Sequence, residues 1–398
     1  MRPILCLVWL AAFLPAQTPP QPGVPEHPFI PLSGAYAVGV HEFLWIDQKR
    51  DEPFTQDPSD RRHVLARIWY PAEKSPGVSP APYLYDPKEF GEQPLYKLVS
   101  GVKTNSVTDA PMVKHPGRFP VLLYQPGGGM ARFTATFVTE QLASQGYVVI
   151  SCDHAGFGPV ALFPDGFQFK PDTLLAPKPT GKFEDDARQS LEWLRNDVFP
   201  TWTADATFAL DQIEALNRTP GQRFYKRFDL SRIGMLGWSF GGATSIQMSR
   251  DDRRVKAAID QDGQLFGDVV AKGTSKPIML MHHGLADKTE NPADQPALTK
   301  LMRQVEEQDR LLLDHSTGDR YEVTLANTQH GHFSDLLLAN PPPGQLDPRR
   351  AHEIILAYTL AFFDKYLKGR DDSLLAAPSS PYPEVNFRRL AASKQPPR

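Results

Sequence analysis

Cysteine is nearly absent from this chain: its 398 residues hold two, Cys6 and Cys152. If the first sixteen residues are removed after export, one thiol is left and no intrachain disulfide can form. A disulfide-free exported protein is compatible with a bacterial periplasm or the extracellular medium. An excess of one charge is missing too. Lys and Arg number 43 against 46 Asp and Glu, a formal charge of −3, so no basic field invites a nucleic acid. Long apolar runs are also lacking. The stretch Ile4 to Leu14 falls short of the roughly 20 residues a membrane helix needs. No internal repeat is visible. His282, His283 and Asp287 are the residues closest to a metal-ligand cluster. Adjacent side chains on a strand point to opposite faces, so neither a metal nor another cofactor is expected there.

Proline is abundant, at 39 residues, many of them outside the periodic segments. That pattern suggests long surface excursions over a conventional core. Residues 1–16 read as a secretory signal peptide, with Arg2 before the apolar stretch and Leu14-Pro15-Ala16 as the cleavage site. Residues 17–31 form a proline-rich linker, 32–370 one catalytic-size domain, and 371–398 a polar tail expected to be loosely ordered. Within the domain, Val64–Tyr70 alternates like a strand. Phe119–Tyr124, Tyr147–Ser151, Val255–Ile259 and Pro277–Met281 are apolar runs of the buried-strand type, and Tyr321–Leu325 alternates. Helical spacing marks 134–144, 183–197, 201–217, 296–308 and 352–368. Strand, glycine turn, helix and strand recur at βαβ spacing, which predicts an α/β fold with a mostly parallel central sheet flanked by helices. The Phe- and Pro-rich stretch 155–181 is long for a plain connection. It reads either as a lid-like insertion, whose apolar residues could touch a lipid surface, or as a packed surface loop.

The chemistry centres on Gly237-Trp-Ser239-Phe-Gly241, entered by the apolar run Ile233–Leu236 and left by the helix-compatible segment Ala243–Ser249. This is the order of a nucleophile elbow, in which Ser239 sits on a turn so tight that its neighbours two before and two after need glycine. A serine hydroxyl needs a base. His330 follows the last strand and is the candidate, with His332 as the alternative. Two acids compete to orient it: Asp262 beyond the strand Val255–Ile259, and Asp287 beyond the next strand. By position alone Asp287 is preferred, since the acid of such enzymes more often lies there. Developing oxyanion charge needs backbone N–H donors. Phe240, next to the serine, supplies one, and the glycine turn Gly127-Gly128-Gly129 offers the second. Trp238 either floors the substrate pocket or packs on the core.

At these residues the chain resembles the plasma and bacterial platelet-activating-factor acetylhydrolases, the isoform II type of α/β-hydrolase. The likeness runs from Val64 to Lys368 and includes Ala66-Arg-Ile-Trp-Tyr-Pro71, Pro120–Arg132 and Asp153-His154. It continues through Gly237-Trp-Ser-Phe-Gly-Gly-Ala-Thr244, Ile259-Asp-Gln-Asp-Gly263 and His330-Gly-His-Phe-Ser-Asp335. The resemblance implies Ser239 as nucleophile, Asp262 as acid, His330 as base, and the amides of Gly128 and Phe240 as the oxyanion hole. It reverses the positional preference for Asp287. It also implies a cofactor-free serine carboxylesterase acting on a small-molecule or lipid ester, with a short sn-2 acyl phospholipid as family substrate. The family usually has His before the serine and His-Gly at the loop entry, where this chain has Trp238 and Gln125-Pro126-Gly127. Those departures keep a polyester or general carboxylesterase open as a second reading. An inactive binding protein on the same fold is a third.

Overall fold

The computed structural model describes residues 25–91, 93–114, 117–170, 176–284, 296–371, 373–376 and 380–392. The signal-peptide segment 1–16 and most of the linker therefore lie outside it, as do Leu174, Leu175 and Asp287. Ten strands form one sheet: β1 Ala37–Asp51, β2 Arg61–Ala72, β3 Val107–Thr108, β4 Phe119–Gln125, β5 Val148–Cys152, β6 Phe228–Trp238, β7 Val255–Gln261, β8 Ile278–Gly284, β9 Arg320–Ala326 and β10 Val385–Leu390. Their order is β10-β9-β8-β7-β6-β4-β5-β2-β1-β3. The six central strands, β5 to β9 through β4, run parallel, and antiparallel β2 and β10 close the two sides.

Successive side chains of the central strands enter opposite cores, which is why these strands are apolar throughout. In β4, Leu122 and Tyr124 join β6, β7 and β8 residues beneath the helices Thr136–Ser144 and Pro348–Lys368. Val121 and Leu123 face the other way, onto Ala206, Leu210 and Ile213 of the helix Phe199–Arg218. The closing helix starts at Asp347, whose carboxylate accepts from the N–H of Arg349 and Arg350, and ends at left-handed Gly369.

One strand went unread and two expectations needed correction. The 15-residue β1 pairs along most of β2, and went unread because His41, Glu42 and Arg50 interrupt any clean apolar period. The tail is not loose throughout, because β10 pairs with β9 and buries Phe387 against Tyr321 and Tyr358. The two helices expected at 183–197 and 201–217 are continuous through a π-turn, Leu194–Val198. Pro200 lies just after it. Proline has no N–H and crowds the carbonyl four residues back, and the wider turn relieves both conflicts. Of the 155–181 stretch, Val160, Phe163 and Phe169 are buried in an aromatic cluster with Trp202, Phe240 and Phe266, while 164–166 and 178–181 are exposed. Among the described residues, no helix is long and apolar enough to cross a membrane.

Candidate active site

β6 delivers Ser239 into a backbone that few residues tolerate, with φ 58° and ψ −124°. Such a conformation costs on the order of 1–3 kcal/mol and persists only where its surroundings enforce it. Here they do. The Ser239 N–H donates to the Gln261 carbonyl at 2.8 Å, and its own carbonyl accepts from Gly242 and Ala243 as the next helix starts. The flanking glycines are steric necessities. A Cβ on Gly237 would stand 2.4 Å from Gly241, and one on Gly241 2.2 Å from the Gln125 carbonyl. The helix Phe240–Asp251 then points its N-terminus at the serine, a favourable field for negative charge.

Asp262 follows β7 and also has positive φ, 63°. Its Oδ2 lies 2.6 Å from His330 Nδ1, so the turn after β9 and the loop after β7 meet as the resemblance implied. Trp238 ties that turn to the elbow: its indole N–H donates to the His330 carbonyl at 3.1 Å. The indole itself is buried, packed over Gly127, whose Cβ would come 2.7 Å from the ring. Ser239, Asp262 and His330 are buried, at 8%, 8% and 7% exposure. His332 is committed elsewhere. Its Nδ1 receives the Gln329 N–H at 3.0 Å and its Nε2 faces the Leu346 carbonyl at 2.9 Å, a satisfied loop histidine. Asp287 lies outside the described residues, but Asp262 already occupies Nδ1 of His330.

One partner escaped the sequence reading. His283, at the end of β8, sets its Nδ1 2.9 and 2.7 Å from the two Asp262 oxygens and donates its backbone N–H to Oδ1 at 3.0 Å. His282 points to the opposite face, with Nε2 3.7 Å from Asp309. The adjacent pair at a strand end was the available signal, since one of the two had to face the site. Burial alone would raise the Asp262 carboxyl; the charge and hydrogen bond of His283, then those of His330, hold it well below the usual range. In turn Asp262 raises the His283 imidazole. Asp262, His283 and His330 form the one group among the described residues with metal-ligand composition. Donors of a tetrahedral zinc site, with bonds of about 2.0–2.2 Å, stand well over 3 Å apart. The N···O separations of 2.6 and 2.7 Å are those of hydrogen bonds, with no room for an ion between.

The glycine loop is fixed at both ends by Asp153-His154, directly after β5. His154 Nε2 meets the Gln125 side chain at 2.8 Å before the loop; Asp153 accepts the Arg132 backbone N–H at 2.7 Å and pairs with its guanidinium after it. His154 gives its Nδ1 to Asp205 at 2.9 Å and stacks on Trp202. Burial lowers the His154 imidazole, leaving it neutral with one N–H, which Asp205 takes. Its Nε2 faces the Oε1 of Gln125, whose amide nitrogen has no hydrogen-bond partner among the described residues. In the loop, Gly129 donates to the Phe157 carbonyl. Gly128 has Phe157 over it, 2.7 Å from where a Cβ would be. Among the described residues, neither Gly128 nor Phe240 spends its N–H on another backbone carbonyl.

Comparison with known proteins gives this arrangement a context. The family model of platelet-activating factor acetylhydrolase, isoform II, matches residues 25–159 and 215–374. The chain belongs to that family. Within it, a probable 1-alkyl-2-acetylglycerophosphocholine esterase of Arthroderma benhamiae is 27% identical over 314 residues, covering 73% of this chain and 71% of that protein. The platelet-activating factor acetylhydrolase of Cavia porcellus is 23% identical over 304 residues, 69% of this chain and 63% of its own length. Among solved structures, a ferulic acid esterase from Streptomyces cinnamoneus superposes with a TM-score of 0.71 at 29% identity, covering 91% of this chain and 99% of that one. The fold is thus that of the α/β-hydrolase esterases.

Proposed function

We propose that this family member is a serine carboxylesterase that cleaves short-acyl esters through an acyl-enzyme on Ser239. The observation that carries the reading is the 2.6 Å contact between His330 Nδ1 and Asp262, beside a serine held in a strained elbow. With Nδ1 on the carboxylate, Nε2 acts as the base. It takes the Ser239 proton as Oγ attacks the ester carbonyl. The amides of Gly128 and Phe240 receive the oxyanion, and Asp262 stabilises the imidazolium. The imidazolium protonates the leaving alcohol. Water, activated the same way, then releases the acid. The short sn-2 acyl phospholipid is the substrate class favoured by the two named relatives. The solved ferulic acid esterase supports a second reading, a general carboxylesterase tolerant of aryl and polyester substrates. Export is part of the proposal and rests on the leader-like residues 1–16.

Rates on p-nitrophenyl acetate to octanoate, a 2-acetyl phospholipid and a ferulate ester test the reading. Ser239→Ala must abolish them all. Phospholipid cleavage well above ferulate cleavage supports the acetylhydrolase reading, and the reverse supports the general esterase. Turnover surviving Ser239→Ala refutes both.

A further inference from the structure

Asp262 is surrounded in a way a simple serine–histidine–acid line does not require. Its two oxygens answer two imidazoles and a backbone N–H, and two of those three donors belong to His283. The His283 and His330 rings stand 6.5 Å apart on either side of it. We propose that His283 is a positioning residue for the esterase: neutral, it holds the Asp262 carboxylate toward His330; protonated, it claims that carboxylate's charge and weakens His330 as a base. This rests on the serine mechanism proposed above.

The groups that face His283 among the described residues are few. They are Asp262 from the loop after β7, His330 and His332 from the turn after β9, and its neighbour His282 on β8. Among the described residues, Asp262 is the single anion in direct contact with it. Protonation of His283 is the first step as pH falls, and it places a charge beside the one carboxylate that His330 also uses. With His283 charged, a second imidazolium on His330 meets a like charge. Since Asp262 stabilises the His330 imidazolium formed during attack, a singly protonated pair still turns over, but more slowly. The raised affinity of His283 for a proton, caused by Asp262, brings the first step toward neutral pH.

The test is the pH profile of kcat/KM on a non-titrating ester for wild type, His283→Asn and His283→Leu, with Ser239→Ala alongside. Asn can place its Nδ2 donor where Nδ1 lies and does not titrate. Wild type is expected to lose rate on acidification in two steps separated by a reduced plateau. His283→Asn should keep the alkaline rate and show one step. His283→Leu should lose kcat roughly tenfold or more, the worth of a hydrogen bond to a charged group, with KM unmoved. Identical one-step profiles in wild type and His283→Asn overturn the proposal, as does an unchanged kcat in folded His283→Leu. If Ser239→Ala retains activity, the serine reading falls and this inference with it. If Ser239→Ala is dead and the His283 variants are silent, this inference alone falls.

Discussion

Among the described residues, two aspartate–histidine pairs are buried at both partners, and by contact distance they look alike. His330 Nδ1 is 2.6 Å from Asp262, and His154 Nδ1 is 2.9 Å from Asp205. Their surroundings differ in charge. Asp205 is gripped by Arg62 through two hydrogen bonds of 3.0 and 2.6 Å and by Arg50 at 2.9 Å, so its negative charge is already matched. Its carboxyl is driven low against the effect of burial chiefly by Arg62, and His154 stays neutral, closed off by Gln125 and Trp202. Asp262 has no arginine or lysine among the described residues. Only imidazoles and a backbone amide answer it, so its charge is available to an imidazolium. A histidine beside an aspartate is therefore not in itself catalytic; what else neutralises the carboxylate decides.

That contrast is broken most sharply by equivalent substitutions. Asp262→Asn should cost roughly 10⁴-fold in kcat, as loss of the orienting acid does in serine hydrolases, while the thermal midpoint moves little. Asp205→Asn should do the reverse. It strands a fully buried Arg62 that keeps only Glu52 as a carboxylate partner, and should cost about 3–5 kcal/mol of stability, read by denaturant unfolding, with kcat largely kept in the folded fraction. Gly128→Ala comes next. Its Cβ would press on Phe157 and displace the proposed oxyanion donor, with an expected loss of about 10²–10³ in kcat. The smallest effect concerns pH and stability. His283 has a folded pKa raised by Asp262, so its contribution to stability is full below the unfolded value, about 6.5, and fades as pH rises through the folded value. The thermal midpoint of wild type minus that of His283→Asn should therefore shrink between pH 6 and 8. A constant difference would remove His283 from the ionised cluster.

How much of this was readable beforehand follows from how local each signal is. The elbow, the glycine loop and the central strands are written in short contiguous patterns, because steric clearance at Gly237 and Gly241 and burial on both sheet faces constrain neighbouring residues. The proposed acid was legible only through family likeness, since Asp262 and Asp287 both follow strands at suitable places. What stayed hidden is made by distant partners. β10 becomes a strand by pairing with β9, some 65 residues earlier in the register Arg388 to Glu322. His283 meets Asp262 from another strand, and the two ends of the glycine loop are joined to Asp153-His154 across the sheet. Trp238 likewise gains its place from a distant partner, since its indole donates to the His330 carbonyl and ties the elbow to that turn.

The central claim is that Asp262 is the carboxylate that orients His330. The most direct measurement is kcat of Asp262→Asn and of Asp287→Asn on p-nitrophenyl acetate, each with its thermal midpoint. The account predicts that Asp262→Asn alone collapses turnover in a folded protein. A folded, inactive Asp287→Asn beside an active Asp262→Asn would contradict it.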